Sequence, residues 1–182
     1  MLKKRKTVYN LTMTALCAAL ISVSAVISIP TPIIPVTLGL FGIYFSLYFL
    51  GGKYGTIAVT LYVAIGALGL PVFSGFSGGV GKLFDTTGGY IWGYIIISLV
   101  YWLLDTVLPK RRVFKIINTG ITLLILYLSE TFWYSFLFLD GAKSIITAFS
   151  ATALPFIPFD IMKAALSYIL AERLKKIIRR HE

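Results

Sequence analysis

The sequence predicts an all-α integral membrane protein of six transmembrane helices, and three observations carry that reading. Of the 182 residues, 58% are hydrophobic and only 13% are charged, a balance that soluble domains rarely reach. The apolar residues gather into six stretches, each near the ~20 residues that a spanning helix needs. The basic residues sit in short clusters between those stretches, and the clusters alternate between rich and poor.

The stretches cover about 8–29, 36–52, 54–70, 88–108, 114–139 and 146–171. The first follows the basic run Lys3–Lys6 and stops at Pro30. The second starts beyond three prolines and ends at Gly51-Gly52, and the third runs on to Pro71. The fourth opens at Gly88-Gly89 and closes before Pro109. The fifth follows Arg111-Arg112, and the sixth ends at the charged tail that begins with Glu172. Glycine, proline and threonine within several of them are tolerated in membrane helices. None shows the alternation of a membrane β-barrel strand.

An even number of spans puts both termini on one side, and basic residues mark that side as cytoplasmic. Fourteen of the 17 basic residues fall there: Lys3, Lys4, Arg5 and Lys6, then Lys53, then Lys110, Arg111, Arg112 and Lys115, then Arg173, Lys175, Lys176, Arg179 and Arg180. Lys82 and Lys143 lie opposite, and Lys163 lies within a span. The expected location is a bacterial cytoplasmic membrane, with residues 1–182 forming one multi-pass domain. The amino-terminal basic and apolar run looks like a secretory signal, but its removal would leave five spans and break the charge pattern, so no cleavage is expected.

Composition excludes several functions. The net charge of +10 belongs to loop clusters and does not point to nucleic acid. The tail from Arg173 is suited to anionic lipid headgroups. With Cys17 the only cysteine and His181 the only histidine, neither an intrachain disulfide nor a Cys/His metal site is expected. Gly81-Lys82 is followed by Leu83, and Phe76 stands where a phosphate-binding loop needs its first glycine. The dinucleotide pattern after Gly79-Val80-Gly81 fails at Phe84. No ATP or NAD site is expected, so uphill movement would require an ATPase in another chain.

The outer face holds the irregular segments. Three prolines among residues 30–35 preclude a continuous helix. Residues 70–90 are apolar yet glycine-dense, which suits a loop folded back on the helices. Pro155 and Pro158 interrupt the start of the last span on the same side. Three such segments together predict a pocket open to the outside and lidded by loops.

Lys163 lies at the head of the last span, nine residues before Glu172. That is roughly 13 Å of helix, which puts an ammonium near the middle of a hydrocarbon core about 30 Å thick. Such a charge costs about 2.5–3.5 kcal/mol. Asp160 lies at i−3 on the same face, and a paired intramembrane carboxylate and ammonium marks a functional site. The alternative is a purely structural pair, with Asp160 also favoured near a helix start. Glu130 is the other intramembrane acid, placed to line the cavity or to pair with Lys163. Asp105, near the cytoplasmic end, reads as structural.

Several blocks, in this order along the chain, resemble the BioY family, the biotin-specific substrate-binding (S) components of energy-coupling factor transporters. They are Ile34-Pro35-Val36-Thr37-Leu38, Gly66-Ala67-Leu68-Gly69-Leu70-Pro71-Val72-Phe73, Ser77-Gly78-Gly79, Thr87-Gly88-Gly89-Tyr90 with Gly93, and Leu154 to Lys163. The resemblance implies a six-helix S component that captures biotin outside. Its partners would be a transmembrane coupling subunit and two ATPase subunits, with no cofactor and no catalysis of its own. It also implies a contact to the coupling subunit through small residues of the first helix. Ala15 and Ala19 fit that pattern and Ser22 extends it, although the same stripe also suits packing inside the bundle.

Asp160 is the expected acceptor from the biotin ureido ring and Lys163 the expected donor to the ligand. Thr37, Ser77, Gly78, Gly79, Thr87, Gly88 and Tyr90 are further candidates, the glycines either for ligand contact or for loop geometry, and Tyr90 either for the ligand or for the membrane interface. One departure concerns specificity. The family usually reads Gly-Pro before Thr-Gly-Gly-Tyr, whereas this chain has Asp85-Thr86 there with Lys82 nearby. These two charges either pair or alter the choice of ligand. The alternatives to biotin capture are another vitamin, a small membrane enzyme, or a channel.

Overall fold

The computed structural model describes residues 2–29, 35–109, 111–139 and 145–180. Among them are seven helices: α1 (Leu2–Val26), α2 (Gly39–Leu50), α3 (Gly52–Ala67), α4 (Gly88–Val107), α5 (Arg112–Phe138), α6 (Ile145–Thr152) and α7 (Ile157–Arg180). A short antiparallel ribbon of β1 (Ser28–Ile29) and β2 (Val36–Thr37) pairs Ser28 with Thr37 and Ile29 with Val36. The Lys110, Asp140, Lys143 and His181 positions, and the prolines at 30 and 32, lie outside the described residues.

Among the described residues α1 (over Thr7–Val26), α4 and α5 are each long and apolar enough to cross a membrane. The α6–α7 pair forms a further apolar unit, bent by 50° at its break. The chain is a multi-pass membrane protein. Three of the six expected segments nevertheless depart from a plain spanning helix of near 20 residues, among them 54–70, which gives only the 16 residues of α3. The segment 36–52 yields only the 12 residues of α2, about 18 Å of helix. Its first residues, Val36 and Thr37, leave the helix because their backbone pairs with β1.

The segment 146–171 is divided by a turn over residues 153–156. Pro155 lies in that turn and lacks the N–H a continuous helix would use. Pro158 is then accommodated in the first turn of α7, where its missing donor costs nothing. At the other boundaries the differences are small. The basic amino end is already helical from Leu2, and α2 passes into α3 through the single residue Gly51, at φ +80°, a conformation glycine adopts without strain. The Gly52 N–H that opens α3 donates to Asp105 Oδ2 at 3.2 Å, which gives Asp105 the structural role expected of it.

Helix α2 is the hub, packed against α1, α3 and α7, while α4 pairs with α5. Ile43, Tyr44 and Leu47 of α2 have no exposed surface. In a membrane, lipid removes the hydrophobic drive between helices, so close approach and interhelical hydrogen bonds take over, the latter at about 0.6 kcal/mol each. Tyr44 shares such a bond with Thr122 (3.0 Å). Thr56 Oγ1 donates to the Ser98 carbonyl (2.8 Å) and Ser167 Oγ to the Phe41 carbonyl (2.8 Å). These bonds tie α2 to α5, α3 to α4, and α7 to α2.

Helices α1 and α2 approach closely at Gly42, where a Cβ would lie 2.9 Å from the Ile21 Cα of α1. Backbone cannot swing aside as a side-chain tip can. Gly42→Leu is therefore expected to push α2 off α1 and to cost about 1–3 kcal/mol, the usual range for overpacking. Thermal unfolding in detergent checks this, and an unchanged midpoint would mean that the two helices do not meet at this position.

Candidate functional site

The break before α7 positions the charged pair. Restarting the helix at Ile157 puts Asp160 in the first turn of α7, where a carboxylate complements the positive end of the helix dipole. Lys163 follows one turn later on the same face. Lys163 Nζ donates to Asp160 Oδ1 at 2.8 Å, and both side chains are more than nine-tenths buried. The Tyr127 hydroxyl of α5 donates to the other oxygen, Asp160 Oδ2, at 3.0 Å. The carboxylate is held from two helices, and an ammonium with three donors has one committed to Asp160.

This pair borders a cavity of about 210 Å³. Of the residues singled out in the sequence, Thr37, Ser77, Thr87, Tyr90, Asp160 and Lys163 line it together. They come from the ribbon, the 70–87 loop, the start of α4, and α7. Tyr90 is a buried wall residue and not an interface aromatic; its hydroxyl donates to the Thr152 carbonyl at 2.5 Å, tying α4 to α6.

Gly78, Gly79, Gly88 and Glu130 are not among the residues that line the cavity. The glycines serve loop geometry. A Cβ at Gly78 would strike the Leu70 carbonyl, one at Gly88 would strike the Leu83 carbonyl, and Gly79 (φ +96°) turns the chain so that its N–H reaches the Gly66 carbonyl at 2.7 Å. Glu130 is wholly buried and does not pair with Lys163. Its carboxyl instead meets the amino end of α4, where a Cβ on Gly89 would collide with Oε2 and the Tyr90 backbone N–H faces it. An acid there favours the helix dipole.

The aromatic part of the wall was not singled out from the sequence. Tyr62, Phe73, Tyr94 and Phe156 line the cavity, with Phe73 set edge-on to Tyr62 at 5.6 Å between ring centres. The usable signal was the Tyr90–Tyr94 spacing of one helical turn, which places both rings on one face.

The mouth of the cavity is built by the loop between α3 and α4. A 3-10 helix at Val80–Phe84 carries Lys82, and Asp85 follows it. Two indoles fasten this segment: Trp92 Nε1 donates to the Leu83 carbonyl (3.1 Å) and Trp133 Nε1 to the Asp85 carbonyl (3.0 Å). Lys82 Nζ bonds Asp85 Oδ2 at 2.6 Å, and the Thr86 N–H bonds Oδ1 at 2.7 Å. Lys82, with the Thr86 N–H, holds the Asp85 carboxyl below the usual aspartate range. A lowered value means the bridge is intact above the ordinary pKa near 3.9 and is lost only as pH falls through the lowered one. Lys82 and Asp85 both line the cavity.

On α1, Ala15 and Ala19 are exposed and Ser22 is part-buried, its hydroxyl donating to the Ala18 carbonyl at 2.9 Å. Thr14, Cys17, Ala18 and Ile21 form the face turned to the bundle. Of the two readings of the small-residue stripe, packing inside the bundle does not apply to Ala15 or Ala19.

The BioY family model matches residues 1–180. The chain belongs to the BioY family. Among curated relatives, the biotin transporter BioY of Thermotoga maritima is 42% identical, covering 87% of this chain and 91% of its own. The probable biotin transporter BioY of Pyrococcus horikoshii is 37% identical over 91% of this chain and 96% of its own. The crystal structure of the S-component for biotin from an ECF-type ABC transporter superposes with a TM-score of 0.81 at 28% identity, over 94% of this chain and 93% of that one. A second S component of a bacterial ECF transporter, at 14% identity and a TM-score of 0.58, shares the fold. The BioY sequence blocks thus map onto the ribbon, the α3–α4 loop and the start of α7, the three segments that enclose the cavity.

Proposed function

We propose that this chain is the biotin-capturing S component of an ECF-type importer, binding biotin tightly from the outside and delivering it to a transmembrane coupling subunit. In this reading two ATPase subunits supply the energy, the chain itself catalyses nothing, residues 1–182 form one six-span unit with both termini cytoplasmic, and the membrane is the bacterial cytoplasmic membrane. The observation that carries it is the buried Asp160–Lys163 pair on the wall of the cavity. A ureido ring offers N–H donors and one carbonyl acceptor. The Asp160 carboxylate suits the N–H groups and the Lys163 ammonium suits the carbonyl. A neutral ring adds no charge to a buried pair that is already balanced, and the aromatic wall of Tyr62, Phe73 and Tyr94 shields it from water.

The test is titration calorimetry of the purified, ligand-stripped protein with biotin, and in parallel with thiamine and riboflavin. Tight one-to-one binding of biotin alone, with biotin recovered unchanged, is the expected result. A folded protein that ignores biotin and takes up another vitamin would overturn the assignment.

A further inference from the structure

The cavity carries two ion pairs of different character. Asp160–Lys163 is deep, with side chains 5% and 8% exposed, whereas Lys82–Asp85 at the mouth is 37% and 38% exposed. Biotin also has two polar ends, a neutral ureido ring and an anionic carboxylate. Placing the carboxylate at the deep pair would set it beside Asp160 and leave a net negative charge out of water, which is costly. At the mouth the same charge keeps part of its hydration.

We propose that Lys82 receives the ligand carboxylate and that Asp85 is its built-in competitor, so that these two residues set how strongly the site selects an anionic ligand. This rests on the biotin reading above. Asp85 takes one of the three ammonium donors, which leaves Lys82 able to meet a second carboxylate. Asp85 costs the incoming anion twice, by repelling it and by sharing its cation. The segment does not have to move for this exchange, because the indoles of Trp92 and Trp133 hold its backbone carbonyls and the Asp85 carboxylate keeps its bond from the Thr86 N–H when Lys82 turns away. The Asp85 side chain is partly in water, so it can release Lys82 and remain solvated.

The experiment compares biotin with its carboxamide, which keeps the ring and removes the charge, on the native full-length chain and on Lys82→Met, Lys82→Arg and Asp85→Asn. Lys82→Met is expected to weaken biotin about tenfold or more, the range of one charge-assisted hydrogen bond, while the carboxamide changes less than about twofold on that same argument. Lys82→Arg should restore much of the biotin affinity. Asp85→Asn should tighten biotin several-fold and leave the carboxamide unmoved. Equal loss of both ligands in Lys82→Met would mean a general effect on the loop and would overturn the assignment, as would unchanged biotin affinity or weaker biotin binding in Asp85→Asn. A native chain that binds neither ligand would sink the biotin reading itself, and this assignment with it.

Discussion

Lys163→Met is expected to lose biotin binding by roughly 30-fold to several-thousand-fold, the equivalent of the ~2–5 kcal/mol that follows truncation of one partner in a buried charge pair. Two costs combine. The ligand carbonyl loses an ammonium donor, and Asp160 is left with the Tyr127 hydroxyl as its remaining side-chain donor. Asp160→Asn should weaken binding comparably for the mirror reason, since Lys163 loses its counter-charge and the ring N–H groups lose a charged acceptor. The variants differ from a folding defect in a measurable way. The double variant Asp160→Asn/Lys163→Met removes both charges at nearly constant volume, and replacing a whole buried pair is often neutral for stability. Thermal unfolding of the double variant should therefore match the native chain more closely than either single variant, while calorimetry still finds no biotin binding. Unchanged affinity in both single variants would remove the pair from the site.

The parts of this site that could be read from the sequence are those whose chemistry is costly in a membrane. An ammonium nine residues inside a span has few reasons to exist without a partner, and Asp160 at i−3 supplies one. Its second tie, to Tyr127, spans 33 residues and depends on how α5 packs against α7, which no local pattern encodes. The same contrast separates the candidate residues. Thr37 and Ser77 sit in blocks whose glycines and prolines announced a loop, and they line the cavity. Gly78 and Gly88, from the same blocks, are there because a neighbouring carbonyl leaves no room for a Cβ.

Glu130 was legible as an unusual acid, but its destination was not, because the positive end of α4 that it meets arises only once Gly89 lets the two helices touch. The shortness of α2 was hidden for a related reason. Val36 and Thr37 are apolar or neutral enough to prolong a hydrophobic segment, and only pairing with Ser28 and Ile29 takes them out of the helix.

Ala15→Trp and Ala19→Trp are expected to abolish copurification with a coupling subunit while leaving biotin affinity within about twofold. The expectation follows from which face of α1 is already used. Thr14, Cys17, Ala18 and Ile21 are buried against the bundle, whereas Ala15 and Ala19 point away from it. A large side chain there disturbs nothing inside the fold, and the cavity is walled by other elements and by Ala25 near the far end of the helix. What a tryptophan would prevent is the close approach of a second helix, for which small residues one turn apart are suited. Overpacking such a contact costs about 1–3 kcal/mol at each site, enough for the double variant to lose the complex. Ser22 is a weaker position, because its hydroxyl is already committed to the Ala18 carbonyl, and Ser22→Ala should assemble normally. Co-expression with a coupling subunit followed by affinity capture reads the outcome directly. Normal assembly of the double tryptophan variant would make this face a lipid-facing one, and the contact to the coupling subunit would then have to be sought on another helix.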